Sequence, residues 1–144
     1  MCALYERLPK RILIIDDDID LLMLLERCLS KEGYVVETAA NLARAEEILT
    51  QFSPHLVLLD INVNGQDGRQ LCWKIKNTRS SFPPKVIIMS GYDCNTGRAV
   101  LFGADDFITK PFYADYLLHR MDLLFAPNLS TANYSFLNVI QQQR

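Results

Sequence analysis

The chain has 144 residues, 49% of them hydrophobic and 22% charged, with a formal net charge of −2, the proportions of a single globular domain long enough to bury a core. That balance, with no cluster of lysines or arginines, excludes a general nucleic-acid surface. The apolar runs fall well short of the ~20 residues a membrane span needs and no signal-like segment is visible, which predicts a cytoplasmic location with no membrane partner. Cys2, Cys28, Cys72 and Cys94 show no CxxC spacing, so they read as reduced thiols rather than a disulfide framework or metal site.

Residues 1–10 read as an N-terminal extension. Arg11 to Asp16, RILIID, is an apolar run that closes on Asp16, Asp17 and Asp18, which predicts a buried strand with acids at its end. Over residues 19–32, Leu21, Leu24, Leu25 and Cys28 fall at i, i+3, i+4 and i+7, with Leu22 and Leu29 widening the stripe, the pattern of an amphipathic helix. Asp18 is placed to cap it and Gly33 to stop it. Tyr34 to Thr38 has strand composition, and Asn41 can cap a helix that turns Leu42, Ala45, Ile48, Leu49 and Phe52 inward until Ser53 and Pro54 end it.

Leu56 to Leu59 is wholly apolar and does not alternate, the pattern of a strand buried on both faces, and it ends on Asp60. Asn62, Asn64, Gly65, Asp67 and Gly68 follow, residue types that tolerate tight or left-handed backbone. Leu71, Cys72 and Ile75 line a third helix, with Trp73 at the core edge or on a contact surface, and the loop of Asn77 to Pro84 leads into the strand Lys85 to Ser90. A fourth helix is expected between Asp93 and Gly103. Gly97 in its interior costs about 1 kcal/mol relative to alanine, so it is the least secure. Phe107 to Thr109 makes a last strand before Lys110 and Pro111, and a helix over Tyr113 to Phe125 buries Leu117, Met121 and Leu124 before Pro127.

Five strand-then-helix units predict a doubly wound α/β fold with a five-stranded parallel sheet and helices on both faces. In such sheets ligands gather outside the carboxyl ends of the strands. An acid cluster, a single acid, a hydroxyl and a lysine stand at four of these ends: Asp16 and Asp17, Asp60, Ser90, Lys110. They form one candidate site.

The segments ILIIDDD, LVLLDINVNGQDG, VIIMSG and GADDFITKPF, in that order and spacing, resemble the receiver domains of bacterial two-component response regulators, which have a flavodoxin-like (βα)5 fold. The resemblance covers residues 11 to about 125. It implies a receiver domain over 11–126 and a tail over 127–144 with no effector domain, the tail holding Tyr134, Phe136, Leu137, Val139 and Ile140 among Asn, Gln and Ser. By the same resemblance Asp60 is the acceptor of a phosphoryl group from a sensor histidine kinase or histidine phosphotransfer protein, Asp16 and Asp17 are Mg2+ ligands, and Asn62 supplies a backbone carbonyl. Lys110, before a proline joined by a cis peptide, and Ser90 would bind phosphate oxygens. Phe107 would be the switch aromatic, and Tyr92 would screen the acyl phosphate from water. The residues independently suit that chemistry: Mg2+ takes oxygen ligands in near-octahedral geometry, and carboxylates that crowd without metal raise one another's pKa.

Two residues depart from the family pattern. Phe107 stands where Tyr is more usual and cannot make its hydrogen bond. Asn64 stands where the family often has Pro, which predicts a looser turn behind Asp60 that leaves the reacting groups alone. Two rival functions remain beside this one, a pseudo-receiver that takes no phosphate and a haloacid-dehalogenase-type phosphatase. In the latter the nucleophile sits in an Asp-x-Asp motif, whereas Asn62 replaces the second acid here. Output to an unknown downstream protein is expected on the face of the 93–103 helix, the 107–109 strand and the 113–125 helix, with Arg98, Asp105, Asp106, Phe107 and Arg120 as participants. Asp105, Asp106 and Arg120 resemble the set used by dimer-forming members, although Thr96 and Tyr116 lack the charges of a full salt-bridged homodimer.

Overall fold

The computed structural model describes residues 8–91 and 102–126. In chain order the described elements are β1 (Arg11–Ile15), α1 (Ile19–Lys31), β2 (Val35–Ala39), α2 (Leu42–Phe52), β3 (Leu56–Asp60), β4 (Asn62–Val63), β5 (Gln66–Asp67), α3 (Arg69–Lys76), β6 (Lys85–Ser90), β7 (Asp106–Thr109) and α4 (Ala114–Phe125). The helix expected between 93 and 103, with Gly97, and the tail 127–144 lie outside the described residues.

Five strands form one parallel sheet in the order β2-β1-β3-β6-β7, and β4 pairs with β5 as a separate antiparallel ribbon. The central strand β3 explains its own sequence. Leu56, Val57, Leu58 and Leu59 are all 0% exposed, because helices cover both faces and neither side can be polar. Alternation then sorts side chains between two cores. Leu13, Ile15, Val57, Leu59, Val86 and Ile88 face Ala45 and Ile48 of α2 and Leu71, Cys72 and Ile75 of α3. Ile12, Ile14, Leu56, Leu58, Ile87 and Met89 face Leu22, Leu25 and Leu29 of α1 and Leu117 and Met121 of α4. Each such apolar side chain contributes about 1.5–3 kcal/mol by leaving water.

Helix ends follow the residue types. Asp18 caps α1 by accepting the Leu21 N–H at 3.2 Å, and Asn41 caps α2 by accepting the Arg44 N–H at 2.8 Å. Gly33, at φ +92°, turns the chain out of α1. Ser53 ends α2 with φ +48°, and the Arg11 guanidinium donates to the carbonyls of Phe52 and Ser53 there. Of the predicted α1 stripe, Leu22, Leu25 and Leu29 are buried and Leu21 packs against the same core, while Leu24 is 58% exposed. Leucine at 21, 22, 24, 25 and 29 makes a stripe wider than the sheet covers, so its Leu24 edge stays in water. Cys28 and Cys72 are free thiols. Among the described residues no helix is long and apolar enough to cross a membrane.

Candidate functional site

Parallel register carries the polar residues to one edge. Ile15 pairs with Leu59, so Asp16 and Asp60 leave neighbouring strands side by side. Asp60 pairs with Met89 and Ser90 with Thr109, which brings Ser90 and the following Lys110 to the same end. The Lys110 N–H donates to the Ser90 carbonyl at 2.6 Å, and the Lys110–Pro111 peptide is cis. β1 lies between β2 and β3, so the strand order reverses beside the acids, where open α/β sheets form their crevice.

The carboxylates of Asp16, Asp17 and Asp60 each place an oxygen within 4.8 Å of the others. Asp16 is 1% exposed and Asp60 9%. The Lys110 Nζ lies 2.5 Å from Asp16 Oδ2 and 3.5 Å from Asp60 Oδ2. Asp16 Oδ1 also accepts the Asp18 N–H at 2.9 Å. Burial raises the Asp60 pKa above the usual carboxylate value and the Asp16 charge raises it further, against the pull of Lys110 and the Asn62 N–H bonded to it. Burial alone would lower the Lys110 pKa, but its hydrogen bond to Asp16 and the charges of Asp16 and Asp60 outweigh that, and it is raised. Acid crowding therefore acts on Asp60, and one ammonium serves two carboxylates.

Three carboxylates facing one ammonium leave an excess of two negative charges, and the donors are all oxygen. Both facts fit a hard divalent cation such as Mg2+. Asn62 begins β4, directly beside this cluster, with its N–H toward Asp60.

The turn behind Asp60 differs from expectation. Residues 62–67 form a hairpin, Asn62 pairing with Asp67 and Val63 with Gln66. Asn64 and Gly65 make its turn at φ +53° and +79°. Asn64 does not loosen it. Its N–H donates to Asp17 Oδ2 and its side-chain amide to the Ala40 carbonyl, each at 3.0 Å, bonds that its left-handed backbone makes available and that proline could not adopt. The Gly68 N–H donates to the Ile61 carbonyl at 2.6 Å, and Arg69 forks onto Asp67, whose pKa it lowers. Sequence reasoning missed these ties. The Asn-Gly pair, the strongest short hairpin signal, could have revealed the ribbon.

Ser90 is 3% exposed. Phe107 is partly buried against the α2 and α3 core and pairs with Ile88, two strands from Asp60. Of the expected output residues, Asp106 and Arg120 meet within the chain: Arg120 Nε lies 2.6 Å from Asp106 Oδ2, and Arg120 Nη2 also pairs with Oδ1. Asp105 is not part of that pair. It binds Lys76 at 2.8 Å and the Val86 N–H at 2.8 Å. Tyr92, Thr96 and Arg98 lie outside the described residues.

Residues 12–122 match the model of the response regulator receiver domain family. The chain is 34% identical over 119 residues to the response regulator MprA of Mycobacterium sp. (strain KMS), covering 81% of this chain and 51% of that one; it thus spans about half the length of that relative. Among solved structures, a response regulator signal receiver domain from Bermanella marisrubri is 34% identical with a TM-score of 0.75, covering 83% of this chain and all of that one. The beryllofluoride-activated receiver domain of Klebsiella pneumoniae RstA is 29% identical with a TM-score of 0.71, covering 79% of this chain and 97% of that one.

Proposed function

The chain belongs to the family of response regulator receiver domains of two-component signalling, and from that membership we propose that Asp60 takes a phosphoryl group from a sensor histidine kinase or histidine phosphotransfer protein. The observation that carries the proposal is the meeting of Asp16, Asp17 and Asp60 at one strand edge with Lys110 between them.

An oxygen of Asp60 forms a bond to phosphorus as the bond from phosphorus to the donor's imidazole nitrogen breaks, the electron pair leaving with nitrogen. Such transfer depends on position and charge neutralisation more than on covalent help. Asp16, Asp17, Asp60 and the Asn62 carbonyl would hold Mg2+, which when bound screens the negative charge of the phosphoryl oxygens. Lys110 offers its ammonium to one phosphoryl oxygen and Ser90 its hydroxyl to another. The new group brings about −1.5 to −2 charge to an edge already rich in acid. Ser90 turning toward it frees the space that Phe107 enters, and the change is read by a downstream protein, or in a weak homodimer, on the face of β7 and α4. A homodimer built through Asp106 and Arg120 must first open their pair within the chain. The domain acts on itself, with slow self-phosphorylation and dephosphorylation in the cytoplasm, rather than turning over a substrate.

Acetyl phosphate with Mg2+ should add one phosphoryl group by intact mass, and Asp60→Asn should abolish the gain. Undiminished phosphorylation of that variant refutes the proposal.

A further inference from the structure

Asn64 joins the turn behind Asp60 to the ends of two strands. Positive φ at both Asn64 and Gly65 is the two-residue turn whose twist matches the paired strands it connects. So turned, the Asn64 main chain reaches Asp17, just past β1, while its side chain reaches the carbonyl of Ala40, just past β2.

Asp17 is the acid of the three that most needs a partner. Asp16 is buried and accepts from Asp18 and Lys110. Asp60 is nearly buried, with the Asn62 N–H and Lys110 beside it. Asp17 is exposed, and the donor it meets among the described residues is the Asn64 N–H. A carboxylate on a single rotatable stem, beside two like charges, lowers its energy by swinging into water. One N–H on Oδ2 opposes that swing and leaves Oδ1 for a cation. Hydrogen bonds to a ligating carboxylate fix its direction in this way, and their loss typically weakens metal binding about 10–100-fold.

We infer that Asn64 is a positioning residue of the divalent-cation site, its main-chain N–H holding Asp17 in the orientation that joins Asp16 and Asp60. The inference rests on the metal-binding reading above. It assigns the work to the N–H and to the left-handed backbone that aims it, with the bond to Ala40 steadying the turn. The residue that looks like a loosened turn in the sequence thereby becomes part of the site's support.

Mg2+ affinity of the metal-free chain, measured by calorimetry beside the urea midpoint, tests it. Asn64→Gly keeps the N–H and accepts positive φ, so its Kd should stay within about threefold of wild type, whereas Asn64→Pro, with no N–H, should bind at least about tenfold more weakly. Because the proline variant can also perturb folding, amide exchange supplies a second readout. The Asn64 amide should exchange slowly in the metal-free wild type and about tenfold or more faster in Asp17→Ala, which removes its acceptor. Asn64→Pro binding Mg2+ as tightly as wild type overturns the inference, as does equal weakening in both Asn64 variants or an Asn64 amide indifferent to Asp17→Ala. A wild type that binds no Mg2+ refutes the metal site itself; normal wild-type binding with an unaffected proline variant refutes only the role of Asn64.

Discussion

Replacing Gly68 with alanine probes how closely the turn is packed onto the strand that carries Asp60. A Cβ at Gly68 would collide with the Asp60 carbonyl oxygen and stand 3.3 Å from the Asp60 carbonyl carbon and the Ile61 oxygen. All three are backbone atoms, so no side chain can rotate aside. The turn would have to retreat by roughly 1 Å, an overpacking cost of about 1–3 kcal/mol. The same retreat breaks the Gly68 N–H bond to Ile61, now 2.6 Å, worth about 1 kcal/mol more. A loss of about 2–4 kcal/mol lowers the melting temperature by on the order of 10 °C in a domain of this size. Misplacing the acceptor by roughly 1 Å should slow its phosphorylation by about two orders of magnitude. Urea and thermal unfolding give the first number, and initial rates with acetyl phosphate, measured where the variant is still folded, give the second. Melting within about 2 °C of wild type, with an unaltered rate, would show that the turn yields freely and that its packing does not set the position of Asp60.

Mg2+ at about ten times its Kd should stabilise the chain by about 1.4 kcal/mol, some 5 °C in melting temperature; Asp17→Asn should blunt the response, and a wild type blind to Mg2+ contradicts the metal site. The pKa of Asp60 is raised on folding, so the stability it contributes is complete below its unfolded pKa and is lost as pH rises through the folded one. Asp60→Asn should therefore gain on the metal-free wild type as pH rises above about 4, and a stability gap that does not change with pH would contradict the raised pKa. Arg120→Ala leaves the Asp106 carboxylate, whose side chain is 14% exposed, without its guanidinium; a cost of about 1–3 kcal/mol at the urea midpoint is expected, and no cost would mean that the pair within the chain is not formed in solution.

The sheet was legible because burial on both faces admits one kind of sequence. LVLL (56–59) and VIIM (86–89) have nowhere polar to point, and the residue after each run, Asp60 or Ser90, stands at the sheet edge where chemistry collects. The acids, the hydroxyl and the lysine were found on that ground. The helix stripe of α1 was legible in Leu22, Leu25 and Leu29, but with leucines also at 21 and 24 its edge was not, and only the packed sheet shows that Leu24 is left in water. Asn64 was misread for a deeper reason. Its effect lies in the direction of a backbone N–H, which follows from φ and not from the side chain's chemistry. Asp105 was grouped with Asp106 by the family resemblance, but it lies just before β7 and binds Lys76, whereas Asp106 opens the strand and pairs with Arg120. Gly68 gave no signal beyond being a glycine in a turn; the carbonyl it must pass belongs to a residue eight positions earlier.

The central claim is that Asp60 is the residue that carries the phosphoryl group, and the most direct measurement locates that group chemically. Borohydride reduces an aspartyl phosphate to homoserine, so the chain is phosphorylated with acetyl phosphate and Mg2+, reduced, digested and sequenced by mass spectrometry. Homoserine should appear at position 60 and nowhere else, least of all at Asp16 or Asp17. Its appearance at either of those acids, or on a peptide that does not contain Asp60, would contradict the account.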